Sequence, residues 1–137
     1  FGVSQVLPIL VLLYYVPKGS IVLIEQPEIH LHPAVQSGLA DVIINASKTR
    51  NVQVILESHS EHLLRRFQRR VAEKTLDNTE LSLFFCESSH GASHLSKLQI
   101  DLFGNISNWP DGFFGDSFGE IVAMQEAAIK RQLQTEK

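Results

Sequence analysis

The amino-acid sequence predicts an α/β fold: a parallel sheet flanked by helices, with a small β-hairpin and a C-terminal helix appended. Three observations carry that prediction. Two short apolar runs, Ile21-Val22-Leu23-Ile24 and Val52-Gln53-Val54-Ile55-Leu56, have strand length and end on acidic residues, Glu25 and Glu57. Segments of helical periodicity precede, separate and follow them, and strand alternating with helix is the pattern of parallel strands joined by crossover helices. The chain has 137 residues, 44% hydrophobic and 20% charged, which is enough apolar material for one packed core and too little length for two.

Each element has its own signal. Ser4 or a neighbour can cap a first helix in which Val6, Leu7, Leu10, Val11 and Tyr14 recur at helical spacing, with Pro8 in its first turn and Pro17 and Gly19 ending it. The run from Ile21 to Ile24 is apolar on both faces, as expected of a central strand covered by helices on either side. Pro33 opens a second helix through about Lys48, with Val35, Leu39, Val42, Ile43 and Ala46 on one side. After the second strand, Ser60 is placed as the N-cap of a helix to about Lys74 whose Leu63, Leu64, Phe67 and Val71 face inward. Leu81 to Cys86 and His94 to Ile100 read as two strands around a turn at Ser88 to Ala92, a hairpin expected on the sheet edge with Cys86 in the core. Gly104 to Gly119 has loop chemistry, with Trp109, Phe113 and Phe114 as packing anchors, and a last helix is expected from Phe118 to about Leu133. The organisation is thus a lobe at 1–100 and a C-terminal loop and helix at 101–137.

Composition removes several function classes. A net charge of -3 gives no bulk attraction to nucleic acid or anionic lipid, so any such contact has to be local. The lone Cys86 cannot close an intrachain disulfide, and no secretory pattern precedes the first apolar run, so an intracellular, cytoplasmic setting is expected. That run, Val6 to Val16, is well short of the roughly 20 residues that span a bilayer as a helix. The chain opens on Phe1 and its one methionine is Met124, which leads us to expect a piece of a longer protein.

In a parallel sheet, function gathers at the carboxyl ends of the strands. Two polar clusters stand there, Glu25-Gln26-Pro27-Glu28 and Glu57-Ser58-His59-Ser60. The segment Ile21-Val22-Leu23-Ile24-Glu25-Gln26-Pro27-Glu28-Ile29-His30-Leu31-His32-Pro33 resembles the Walker B strand and D-loop of ABC-type P-loop ATPases, in the branch holding the overcoming-lysogenization-defect-like and AAA-type ATPases. Ser58-His59-Ser60-Glu61-His62-Leu63 is similar to the switch (H-loop) histidine segment of that branch, and Gly2-Val3-Ser4-Gln5-Val6-Leu7-Pro8 to the start of its signature helix. Ile106 to Phe114 resembles the C-terminal segment of bacterial ATPases carrying a domain of unknown function numbered 3696.

The resemblance implies ATP and Mg²⁺ as cofactors and gives the residues roles. Glu25 would hold Mg²⁺, usually through water. Gln26 stands where the wider family has the residue that prepares the attacking water; glutamine can orient water but cannot take its proton, so Glu28 is the alternative base. His59 would contact the γ-phosphate and sense its loss. Gly2, Val3, Ser4 and Gln5 would offer backbone N–H groups to a nucleotide on the opposite subunit, and His30, Leu31 and His32 would line the dimer contact. The sequence contains no G-x-x-x-x-G-K-[ST] loop, Lys18-Gly19-Ser20 being only a turn. The phosphate-cradling loop is therefore expected in an N-terminal half of the same ATPase, making this chain the C-terminal half of the head.

The implied output is a dimerisation switch in which two heads sandwich ATP, and relatives of this branch work beside nucleases in DNA-directed or phage-defence systems. The alternative is a non-catalytic interaction module. His30-x-His32 and His59-x-x-His62 are spacings that can place two imidazoles on one metal ion, though no thiolate pair accompanies them. Arg65, Arg66, Arg69 and Arg70 form a basic cluster that can meet phosphates or, more ordinarily, water or a partner.

Overall fold

A computed structural model of the protein describes residues 2–89 and 91–110. The elements follow in the order α1 (Gly2–Tyr15), β1 (Ile21–Glu25), α2 (Pro33–Arg50), β2 (Gln53–Glu57), α3 (Glu61–Ala72), β3 (Leu83–Ser89) and β4 (Ala92–Leu98). The strands β1 and β2 pair in parallel, with Ile21 opposite Gln53 and Glu25 opposite Glu57. The crossover between them is α2, which has Pro33 in its first turn, where a missing N–H costs nothing. It ends at Asn51 in the left-handed conformation, at φ 54°.

Turn chemistry sets the entry to β1. The N–H of Ser20 bonds the carbonyl of Pro17 at 3.2 Å, and Gly19 sits at φ 81°. Gly19 is thus the third residue of the turn, the position at which a type II turn requires positive φ. The guanidinium of Arg50 closes the same corner, donating to the carbonyl of Val16 at 2.5 Å.

The core gathers Val22 and Ile24 from β1, Leu39, Ala40, Ile43, Ile44 and Ala46 from α2, Leu63, Phe67 and Val71 from α3, and Leu13 from α1. Leu13, Leu39 and Leu63 are essentially sealed from water. The Tyr14 hydroxyl bonds Asn45 Oδ1 at 2.8 Å, fixing α1 against α2.

Several expectations are corrected. The sheet has one covered face: β1 alternates exposed and buried, with Leu23 71% and Ile21 64% exposed. In α1 the buried residue is Leu13, whereas Leu7 and Val11 face outward; a helix apolar almost all round gives periodicity no face to choose. Pro8 lies inside α1, not in its first turn, and Ser4 is within the helix. The hairpin β3–β4 is antiparallel as expected but forms a sheet of its own, not an edge of β1–β2. Cys86 is exposed on it, because an isolated two-stranded ribbon has little interior. The helix expected at Phe118 to Leu133 and the anchors Phe113 and Phe114 lie outside the described residues. Among the described residues no helix is long and apolar enough to cross a membrane.

Candidate functional site

Parallel register brings the two polar strand ends side by side. Glu25 and Glu57 are register partners, both exposed, and side chains so paired in a parallel ladder stand on the same face of the sheet. Two carboxylates in such a position repel unless a cation lies between them. One or two carboxylate oxygens beside substrate phosphates are also the donor set that magnesium takes, so this pair fits that ion. Glu57 belongs to the strand-end cluster seen in the sequence, yet its pairing with Glu25 depends on register, which no local motif states.

Immediately after Glu25 the backbone turns sharply. Gln26 sits at φ 42° and His30 at φ 64°, a region that costs a residue with a Cβ about 1–2 kcal/mol. The N–H of Gln26 continues the ladder to the carbonyl of Glu57 at 2.8 Å, and two short turns follow, Ile29 N–H to Gln26 and Leu31 N–H to Glu28. Such conformations persist where surrounding structure over-determines them, and they collect at working sites.

Glu28 is buried, at 9% exposure. Its Oε1 accepts the backbone N–H of His59 at 2.6 Å, while its Oε2 is buried without a hydrogen-bond partner among the described residues. The imidazole of His59 is exposed beyond that anchored backbone. Next along the chain, Ser60 caps α3 by accepting the N–H of Leu63 at 3.0 Å, and its hydroxyl donates to Gln36 Oε1 at 2.6 Å. Gln36, which sequence reasoning passed over, also donates to the carbonyl of Leu31 at 2.9 Å. Only a glutamine at helical spacing announced it, and that is no signal by itself.

The structure therefore brings Glu25, Gln26, Glu28 and His59 to one end of the sheet. The remaining candidates divide. His32 is the N-cap of α2, its Nδ1 accepting the N–H of Ala34 at 3.3 Å, and His30 is exposed at the turn. Leu31 is 5% exposed and belongs to the core, so its side chain is not available to line a contact with another subunit. Gly2, Val3, Ser4 and Gln5 make the first turn of α1, about 20 Å along the helix axis from Tyr15. No group of three or more His, Cys, Asp or Glu side chains able to hold a metal is found among the described residues.

The arginines of α3 are largely committed to carboxylates. Arg66 and Arg70 both reach Asp41 on α2, at 3.2 and 2.7 Å, and Arg69 bonds Glu73 at 2.7 Å. Arg65 pairs with Glu61 and lies 5.8 Å from the ring centre of Trp109, a cation–π distance. The Arg70 guanidinium bonded to Asp41 holds that carboxyl below its ordinary range, against a smaller opposing effect of burial.

Trp109 and the residues before it dock on α3. Gln68 donates to the carbonyl of Gly104 at 2.7 Å, and Asp101 accepts the N–H groups of Phe103 and Asn105, each at 2.8 Å. The same helix that begins beside His59 thus carries the C-terminal loop on its surface.

A comparison with curated proteins finds no match. Residues 1–65 match the family described as "AAA domain, putative AbiEii toxin, Type IV TA system". Residues 76–124 match the family described as "Protein of unknown function (DUF3696)". The first match ends within α3, just past the strand-end cluster, and the second begins before the hairpin. Taken together and in this order, the two matches are those of an AAA-type domain followed by a DUF3696 segment.

Proposed function

We propose that the chain is the C-terminal part of an ATP-binding and ATP-hydrolysing ABC-type head that works as a nucleotide-driven dimerisation switch. The observation that carries this reading is the convergence of Glu25, Gln26 and the Glu28-anchored His59 at the carboxyl ends of two parallel strands. That is where α/β sheets bind ligands.

Glu25, with Glu57 beside it, would hold Mg²⁺, which when bound offsets charge on the β- and γ-phosphates. Gln26 would orient the attacking water through its amide, without taking its proton. The exposed imidazole of His59 would donate to the γ-phosphate. The first turn of α1, Gly2 to Gln5, would turn the N-terminal end of that helix toward the nucleotide of a second head. His30 and His32 would meet that head, giving a homodimer closed around ATP. The phosphate-cradling loop would come from an N-terminal half of the same ATPase. A nuclease or DNA partner would receive the output, as in phage-defence or other DNA-directed systems.

The test is calorimetric titration of Mg-ATP into this chain, into the N-terminal half, and into their mixture. Binding in the mixture alone, lost on Glu25→Ala, is the expected result. Tight binding by this chain alone would show the phosphate loop to be misplaced, and no binding in any sample would favour a non-catalytic interaction module.

A further inference from the structure

Two side chains outside the nucleotide roles tie the connection after β1 to the turn before α3. Glu28, from the first, bonds the backbone N–H of His59 at 2.6 Å. Gln36, in the opening turns of α2, takes the hydroxyl of Ser60 on its Oε1 and gives its Nε2 to the carbonyl of Leu31. A continuous path results: Leu31 carbonyl, Gln36 amide, Ser60 hydroxyl, Leu63 N–H at the head of α3. Backbone of both connections is fixed by these two side chains.

We propose that Glu28 and Gln36 are positioning residues, a two-point latch that holds the His59 turn against the Gln26–His32 connection. Resting on the ATPase reading above, the latch makes His59 and the partner-facing His30 one mechanical unit. A shift of His59 on γ-phosphate loss then pulls on the segment that meets the other head. The burial of Glu28 supports this over the role of proton acceptor. One carboxylate oxygen is occupied by the His59 N–H, and the other is enclosed by protein with no donor among the described residues. A base needs an open oxygen facing water, whereas an anchor needs one acceptor at the right place.

That difference is testable, because glutamine preserves the acceptor and removes the basicity. In the complete ATPase, this chain with its N-terminal half, Glu28→Ala and Gln36→Ala are expected to lower kcat about 10- to 100-fold, the loss that small misplacement of a reacting group brings. The KM for ATP should stay within about threefold, since phosphate binding is untouched. Glu28→Gln should rescue most of the activity lost in Glu28→Ala. Amide hydrogen exchange at His59 should quicken in Glu28→Ala and not in Glu28→Gln. Should Glu28→Ala fail to fold, Gln36→Ala and Glu28→Gln carry the same comparison. Glu28→Gln as inactive as the alanine variant would overturn the proposal and make Glu28 the base, and full activity in Gln36→Ala would remove the second latch point. If the wild-type protein hydrolyses no ATP, the ATPase reading fails, and the His59 amide still decides whether the anchor exists.

Discussion

Single residues hold the strained parts of this molecule together, and Gly104 shows the constraint most sharply. It sits at φ 79°, and a Cβ built on it would lie 2.3 Å from the backbone carbonyl oxygen of Gln68. Neither problem is relieved by moving a flexible side chain, because the obstacle is the backbone of α3. Gly104→Ala should therefore cost about 2 kcal/mol or more, combining the left-handed penalty with displacement of the loop. Urea unfolding is the measurement; a cost under 0.5 kcal/mol, ordinary for an open surface site, would mean the loop does not dock on α3. Gln26 and His30 are the opposite case. Both have positive φ despite having a Cβ, and for Gln26 the ladder bond from its N–H to the carbonyl of Glu57 holds it there.

At the scale of elements, α2 and α3 are joined by apolar packing inside and by charge outside. Asp41 accepts Arg70 and Arg66, and its side chain remains 36% exposed, so screening limits the pair to about 0.5–1 kcal/mol. The Asp41 carboxyl titrates below its ordinary value of 3.8 because the folded state favours the charged form. Its contribution is thus fully present above that value and disappears as pH falls through the lower folded one. Asp41→Asn should be less stable than wild type at pH 6, with the gap closing below pH 3.8, where the protonated acid and the amide are near-isosteres. The difference between the two proteins is what counts, since Glu73, Asp77, Glu80 and Asp101 are also held below their usual range. A constant gap across the range would assign the effect to packing.

Elements with strong local punctuation were legible in the sequence. The bounds of β1 and the Ser60 cap of α3 match, because a branched apolar run and a hydroxyl before a periodic stretch are local facts. The inward face of α1 and the fate of Cys86 were not, since both depend on which neighbour covers them. In the candidate site, Glu25, Gln26 and His59 stood out by position in the pattern. The Glu57 register and the Gln36 bridge became visible only when distant segments were placed together.

At the scale of the molecule, the outer face of the β1–β2 sheet carries the last argument. Ile21, Leu23 and Ile55 are 64%, 71% and 52% exposed there, in a sheet type that is ordinarily covered on both sides. The same face ends at Glu25 and Glu57, where the proposed nucleotide would sit. An N-terminal half that supplies the phosphate loop has to approach that end of the sheet, and covering the apolar face is how it would gain affinity. Fully burying a leucine is worth about 1.5–3 kcal/mol, and placing a lysine there adds the cost of an unpaired charge. Leu23→Lys should consequently leave the stability of this chain within about 0.5 kcal/mol, because the side chain is exposed in it. The same substitution should weaken binding of the N-terminal half by at least about tenfold. Calorimetry of the two parts with and without the substitution separates the cases: unchanged affinity would place the N-terminal half elsewhere, and a large loss of stability in the isolated chain would mean that Leu23 is already buried.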